Sequence, residues 1–222
     1  MTDLDKLRYF LGMKFTQTSA GLLMHQKKYA MDLLQKFNLI SCNSMANLIE
    51  VNVKLTKDEG GKAMDETLYK QIVGSLRFLC NSRPDLSYSV GLVSSFMCSP
   101  KESHMQAVKK VLSYVQGTSD CGVLFQVGRQ KSELEVIRFV DAGYDGDLVE
   151  RKSTFGYLFL LNNAPISWYS KKQLMIALFS CEVEFISRSY ATCQVVWLEE
   201  LLKEMRISVK TPLQLTLTTF QQ

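Results

Sequence analysis

The sequence predicts an α/β (α+β) fold in which a hairpin and several helices precede a mixed β-sheet that one long helix covers. Three observations support this prediction. Apolar residues recur at helical spacing in several segments between residues 30 and 116. From about residue 121 the apolar pattern changes to the alternation that is typical of strands. A long helical segment then separates three strands from a last one, an order that favours a helix packed on a sheet.

The chain is expected to open with a β-hairpin. Residues 8–16 alternate, the letters S-A-G at 19–21 supply a turn, and residues 22–25 form the partner strand. A helix should follow, because four apolar side chains recur at the spacing i, i+3, i+4, i+7, namely Ala30, Leu33, Leu34 and Phe37. Residues 41–64 are polar and irregular, which predicts a long connection.

Three further helices are predicted between residues 66 and 117. The apolar stripe of the first contains Tyr69, Ile72, Val73 and Leu76. The stripe of the second, which starts after a proline, contains Leu86, Val90, Val93 and Met97. The stripe of the third contains Met105, Val108, Leu112 and Val115. The third helix also has start and stop signals, with Ser99 as N-cap, Pro100 and Glu102 in the first turn, and Gly117 at the end.

The second half is expected to form an α/β sheet. A strand predicted at 121–127 and a linker at 128–132 precede this sheet. The strands of the sheet are predicted at 134–140, 155–161, 165–169 and 213–219. The longest helix should cover about 180–205, and its predicted apolar face contains Phe179, Val183, Ile186, Tyr190, Cys193, Trp197 and Leu201. Trp168, Trp197 and Cys193 are therefore expected in the core. We place the domain boundary near residue 130, which gives domains 1–130 and 131–222.

The composition indicates an ordinary globular chain, with 46% hydrophobic and 22% charged residues among 222. The net charge of +4 is uneven, because residues 1–130 contain 16 Lys and Arg against 11 Asp and Glu, and the remainder contains 10 against 11. A basic half can attract a phosphate backbone, since neutralised phosphates release their counterions. Charge alone nevertheless favours a solvated basic surface.

Cysteine spacing and hydropathy exclude several classes of protein. The six cysteines show no C-x-x-C spacing and there are only two histidines, which argues against a zinc site and a disulfide framework. The first residues lack the apolar stretch of a signal peptide, and no apolar run approaches the roughly 18 residues that a membrane span needs. We therefore expect a cytoplasmic or nuclear protein with no membrane partner and no small-molecule substrate.

Two carboxylates are the strongest candidates for chemistry. Asp141 follows an apolar strand, where α/β sheets often place functional groups, and Glu184 lies in the first turn of the long helix. If that helix packs on the sheet, the two groups could converge and bind Mg²⁺, a hard cation that prefers oxygen ligands. The alternative is structural, because strands often end in Asp and acidic residues complement the helix dipole. Spacing alone favours this structural alternative.

Short motifs along the chain resemble one family in the same order. Those of the second half are VDAGYDGD at 140–147, RKSTFGY at 151–157, ISWYSKKQ at 166–173 and SCEVEF at 180–185. Those of the first half are YFLGM at 9–13, QKKY at 26–29, Y-x-x-x-VGSL at 69–76 and SRPDL at 82–86. Together they resemble a copia-type retrotransposon Pol polyprotein, in the part where the end of the reverse transcriptase runs into the RNase H domain.

The resemblance implies specific residues and one cofactor. Asp141 matches the first catalytic aspartate of the RNase H domain, Glu184 matches the catalytic glutamate, and the implied cofactor is Mg²⁺. Departures from the family pattern argue against catalysis. Gly143 and Tyr144 replace an Asp and a Trp, and the stretch that should contain the next aspartate is LTLTTFQ at 215–221. No Asp or Glu follows Glu204, so two of four metal-binding carboxylates remain.

The expected outcome is a degenerate, truncated fragment that catalyses neither reaction. The paired aspartates of the polymerase have no counterpart, because Asp3 and Asp5 are not in a strand–turn context. Binding could persist through seven lysines, Lys14, Lys27, Lys28, Lys109, Lys110, Lys171 and Lys172. Each lysine taken singly is more simply a solvated surface charge, but together they could touch the phosphates of an RNA–DNA hybrid without sequence preference.

Three alternatives and one side effect remain open. The chain could be a residual, non-specific hybrid-binding module. It could retain weak Mg²⁺-dependent RNase H activity through Asp141 and Glu184. It could also have been co-opted as a protein-interaction, effector-like protein. A truncated sheet would expose apolar surface, so self-association or aggregation is expected in any of these cases.

Overall fold

The computed structural model describes residues 8–45, 48, 55–126, 134–143, 152–207 and 216–217. The predicted mixed α/β class is confirmed. The chain divides into two compact units, Met1–Val127 and Gly128–Gln222. Their interpretation as a reverse transcriptase segment and an RNase H-like domain stays a prediction.

The first unit contains an antiparallel sheet in the order β1-β2-β3-β4. Its strands are β1 (Tyr9–Phe10), β2 (Met13–Gln17), β3 (Gly21–His25) and β4 (Val123–Gln126). The predicted hairpin is confirmed as the β2–β3 pair. The single strand predicted over residues 8–16 is wrong, because it breaks into β1 and β2 at Leu11 and Gly12. Both residues have positive φ angles, 48° and 80°, which turn the chain back on itself.

Four helices build the core of the first unit. They are α1 (Lys27–Lys36), α2 (Glu66–Leu79), α3 (Ser87–Ser94) and α4 (Glu102–Gly117), and a short 3₁₀ turn, Pro84–Leu86, leads into α3. The apolar stripes predicted for all four helices are confirmed in one shared hydrophobic cluster, against which Phe37 and Met97 pack while partly buried. Within each helix the cluster members recur three or four residues apart, so the period of the apolar residues was enough to identify them.

The start of α4 differs from the prediction. Helix α4 begins at Glu102 with Lys101 at the N-cap, rather than with Ser99 as N-cap. His104 explains the shift, because its Nδ1 accepts from the backbone N–H of Lys101 at 3.0 Å and its Nε2 lies 2.7 Å from the carbonyl oxygen of Thr56. The fully buried ring also stacks on Phe96 with centroids 3.9 Å apart. A buried imidazole three residues after the N-cap therefore accepts the N-cap N–H at the start of this helix.

Helix α2 begins at a side-chain cap that provides a first test of the fold. The Asp65 Oδ1 atom accepts hydrogen bonds from the backbone N–H groups of Thr67 at 2.8 Å and Leu68 at 3.2 Å. We expect Asp65→Ala to lower the free energy of unfolding by about 1 kcal/mol, because two N–H groups of the first turn lose their acceptor. Urea denaturation followed by circular dichroism would measure this. Asp65→Asn keeps an acceptor and should lose little; an equal loss in both variants would contradict the capping role.

The second unit contains a mixed sheet in the order β7-β6-β5-β8. Strands β5 (Val136–Gly143), β6 (Thr154–Leu161) and β7 (Ala164–Lys172) are antiparallel, and β8 (Thr216–Leu217) runs parallel to β5. Helix α5 (Ser180–Glu204) packs against β5. The predicted order of three strands, a long helix and a last strand is confirmed.

The face that α5 buries is not the one that was predicted. Its buried residues are Val183, Ser187, Ala191, Val195, Leu198 and Leu202. Of the predicted stripe only Val183 is fully buried, whereas Trp197 is 56% exposed and Cys193 lies on the surface. The small side chains of Ser187 and Ala191 explain the choice, because they let the helix backbone approach the sheet closely. None of the helices described is long and apolar enough to cross a membrane.

Candidate functional site

Asp141 lies near the end of β5 and is exposed. It pairs in the antiparallel register with Gly156 of β6. Val136 and Val140 of the same strand pack in one cluster with the buried face of α5. Because side chains alternate along a strand, Asp141 points away from α5. A carboxylate on this helix could meet Asp141 only across the end of the sheet.

Glu184 lies near the start of α5, beside the buried stripe, and is half-buried. Its Oε2 atom accepts from Arg188 Nη2 at 2.9 Å, one helical turn further on. Glu182, the other acidic residue of this region, accepts from the backbone N–H of Leu178 at 2.8 Å and so holds the segment that precedes the helix. Of the two glutamates, Glu182 therefore accepts from a backbone N–H group, whereas Glu184 accepts from a side chain.

Among the residues that the structure describes, the acidic side chains do not form a site suited to two metal ions. Within the described ranges no group of three or more His, Cys, Asp or Glu side chains could hold a metal ion. Strand β8 lies beside β5, with Leu217 opposite Val140, but contributes Thr216 and Leu217 rather than a carboxylate. Magnesium demands several oxygen ligands, and Glu184 already binds a guanidinium. Several residues of the sequence prediction lie outside the described ranges, namely Asp3, Asp5, Tyr144, position 215 and positions 218–221.

Two of the predicted lysines meet around a histidine in the first unit. Lys14 lies opposite His25 in the β2–β3 register, and Lys27 follows at the start of α1. Burial lowers the pKa of His25, and the positive charges of Lys14 and Lys27 lower it further. Lys27 Nζ also contacts Asp120 at 2.5 Å, so an acidic residue partly neutralises the cluster. Lys28 is exposed next to it.

The remaining lysines of the prediction occupy two other places. Lys109 and Lys110 are exposed on α4, whose opposite face supplies the core residues of the first unit. Lys171 and Lys172 end β7 in the second unit, opposite Phe155 and Thr154 of β6. The structure thus brings together Lys14 and Lys27, and separately Lys171 and Lys172. All seven lie on exposed or half-buried positions, as binding to phosphate requires.

The second unit also contains a cleft that sequence analysis missed. It has a volume of about 290 Å³, and the residues that form most of its wall are Phe155, Tyr157, Tyr169, Tyr190, Lys171 and Lys172. Burial raises the pKa of Tyr157, which lies deepest of the three tyrosines. The alternating aromatic residues of 155–159 were the available signal. That signal could not reveal the cleft, because the helix that closes it was predicted to bury Tyr190.

Comparison with known proteins gives a consistent set of relatives. The chain is 37% identical over 208 residues to a retrovirus-related Pol polyprotein from transposon RE2 of Arabidopsis thaliana, covering 94% of this chain. It is 33% identical over 220 residues to the Pol polyprotein from transposon TNT 1-94 of Nicotiana tabacum, covering 95% of this chain. It is 40% identical over 136 residues to the secreted RxLR effector protein 161 of Plasmopara viticola, covering 61% of this chain and 94% of that protein.

The matches to the polyproteins cover nearly all of this chain but only a small part of the polyproteins themselves. The chain spans 14% of the length of the RE2 polyprotein and 16% of the TNT 1-94 polyprotein. No family profile matches the chain, and no solved structure matches it. The similarity therefore rests on sequence alone, along nearly all of this chain and a small share of the polyproteins.

Proposed function

We propose a function for this chain from the premise that it belongs to the copia-type retrotransposon Pol polyprotein family. In this proposal the chain is a degenerate fragment that binds an RNA–DNA hybrid through its lysines and cleaves neither strand. The full-length polyproteins are enzymes, and this chain covers about one seventh of their length. Their activities and substrates are therefore hypotheses for this chain.

The acidic site supports the loss of cleavage, and its incomplete set of ligands is the observation on which the proposal depends. Hydrolysis of a phosphodiester by two metal ions needs carboxylates that clamp the attacking and the leaving oxygen together. Asp141 and Glu184 are two such groups, but Glu184 forms an ion pair with Arg188. Strand β8, which lies next to β5, contributes no carboxylate. Bound Mg²⁺ would polarise the phosphate in the family. The residues described here do not fit a two-ion site, so no hydrolytic step is assigned to them.

The lysines support binding that does not depend on sequence. A lysine ammonium is a point charge that can contact a phosphate from several directions, whereas reading of bases needs side chains aimed into a groove. Lys14, Lys27 and Lys28 concentrate charge around the hairpin, and Lys109 and Lys110 add to it on α4. The expected partner is a nucleic-acid backbone, and the expected affinity is weak.

Cleavage of a labelled RNA–DNA hybrid tests the proposal directly. The parent chain and Asp141→Asn would be incubated with the hybrid in Mg²⁺ and then in Mn²⁺, with an active ribonuclease H as positive control. We expect no cleavage by either chain, because two carboxylates cannot hold two ions in register. Cleavage by the parent that disappears in Asp141→Asn would contradict the proposal. Gel-shift binding of the same hybrid would show that the protein samples are folded and competent.

A further inference from the structure

A cleft with aromatic walls lies between the sheet edge and α5. Two cross-strand pairs form its floor: Phe155 lies opposite Lys171, and Tyr157 lies opposite Tyr169. Helix α5 contributes Tyr190, whose ring stacks on Phe155 with centroids 4.9 Å apart and planes at 20°. Strand β7 is the outermost strand of the described sheet, so the cleft opens at an edge where a ligand can enter.

The rings of the cleft form stacking surfaces that are still partly free. The rings of Tyr157 and Tyr169 are nearly parallel, with centroids 5.8 Å apart and planes at 23°. Tyr169 and Tyr190 are 40% and 46% exposed, so each leaves part of a large aromatic surface in contact with water. A planar ring that entered the cleft could cover this surface, which is the arrangement that stacks an unpaired base on a protein.

Charge restricts the occupant further. Lys171 and Lys172 lie in the wall, and none of the described residues that line the cleft is acidic. The polar lining is completed by Gln194, whose amide donates to Ser167 Oγ at 3.3 Å. An occupant that combines a flat ring with a negative charge therefore fits better than a neutral apolar one. The volume of the cleft, about 290 Å³, lies just below the range of about 300–1,000 Å³ that ligand sites span.

We propose that this cleft binds one unpaired nucleotide of a single-stranded nucleic acid, with its base on Tyr169 and Tyr190 and a phosphate near Lys171. A duplex does not meet these requirements, because paired bases are stacked on one another and cannot present a face to a tyrosine. The inference rests on the proposed binding of nucleic acid and deepens it, since it adds a site for single strands in the second unit. Sequence preference is not expected, because every base has a face that can stack.

Fluorescence anisotropy with a labelled eight-nucleotide single strand of mixed sequence tests this site. Tyr190→Ala should weaken binding of the single strand by about tenfold, because stacking on one ring is lost. Tyr190→Phe keeps the ring and should bind within about twofold of the parent. Phe185→Ala is the matched control, because Phe185 is 71% exposed on the same helix and does not line the cleft.

Because the ring of Tyr190 packs on Phe155, Tyr190→Ala could weaken binding by disturbing the fold. A lysine variant provides a second test that does not change this packing. Lys171→Gln changes an exposed side chain, and it should weaken binding of the single strand and reduce the salt slope by about one. If Tyr190→Ala and Lys171→Gln both bind the single strand like the parent, or if the strand does not bind at all, the inference is wrong.

The same samples separate this inference from the proposed function. An RNA–DNA hybrid without overhangs would be titrated in parallel into Lys109→Gln/Lys110→Gln and into Tyr190→Ala. Loss of hybrid affinity in the lysine variant, together with unchanged single-strand binding in Tyr190→Ala, would sustain the proposed function and refute the cleft. Loss of single-strand binding in Tyr190→Ala, with no hybrid binding by the parent, would sustain the cleft and refute hybrid binding.

Discussion

The affinity of the chain for an RNA–DNA hybrid should fall by about 150-fold when salt rises from about 50 to about 200 mM. Each phosphate neutralised by a lysine releases counterions, and the logarithm of the affinity then falls by about 0.9 per contact for each tenfold rise in salt. Four lysines of the first unit supply the contacts, namely Lys14, Lys28, Lys109 and Lys110, because Lys27 contacts Asp120. Titrations at four salt concentrations would give the slope.

Two variants should change this slope in opposite directions. Lys109→Gln/Lys110→Gln removes two exposed charges and should reduce the slope by about two. Asp120→Asn removes the carboxylate that contacts Lys27 and should increase affinity at low salt, because that lysine becomes available to a phosphate. An affinity that stays constant over this salt range, or an Asp120→Asn variant that binds more weakly, would show that these lysines do not contact the backbone.

Helices of the first unit could be predicted because their cores are formed locally. Positions such as Tyr69, Val73 and Leu76 repeat at the period of one helix face, and each helix buries one stripe only. Periodicity failed where a turn depends on backbone conformation. Leu11 adopts a positive φ angle that its residue type does not favour. The alternating pattern of residues 8–16 therefore did not indicate the turn that separates β1 from β2.

Helix α5 shows why the candidate site was harder to predict. The helix has apolar residues on more than one face, and sequence alone favoured the face with the larger ones, including Tyr190 and Trp197. The sheet instead receives the face with Ser187 and Ala191, so the large residues stay at the surface. A pattern of apolar residues shows that a helix is amphipathic, but only the shape of its partner decides which stripe is buried.

The same argument applies to the functional residues. The motifs could identify Asp141 and Glu184 as residues, but the pairing of Glu184 with Arg188 depends on rotamers that no motif specifies. The cleft joins β6, β7 and α5 across residues 155 to 194, and it exists only because Tyr190 lies over Phe155. Contacts of that kind follow from packing and not from spacing along the chain.

The largest loss of stability should follow from Tyr69→Ala. Tyr69 is fully buried in the helical core, and its hydroxyl donates to the carbonyl oxygen of Val93 at 2.8 Å. Removing the ring leaves a cavity and takes one donor from the Val93 carbonyl, which keeps the N–H of Phe96 as its other donor at 3.2 Å. The free energy of unfolding should therefore fall by about 3–5 kcal/mol, mainly because of the cavity. Burial raises the pKa of Tyr69, so this side chain stabilises the fold below its unfolded pKa of about 10 and loses that contribution at higher pH.

Urea denaturation with two signals would locate the effect of Tyr69→Ala. Trp168 and Trp197 both lie in the second unit, so tryptophan fluorescence reports that unit, whereas far-ultraviolet circular dichroism reports all helices. The circular dichroism transition should move to lower urea. Tyr69→Phe keeps the ring and should lose about 1 kcal/mol, because only the hydrogen bond from the hydroxyl to the carbonyl of Val93 is removed. Tyr88→Ala, at a side chain that is 54% exposed, should change stability by less than about 0.5 kcal/mol. A Tyr69→Ala chain as stable as Tyr88→Ala would mean that the helical core does not depend on this ring.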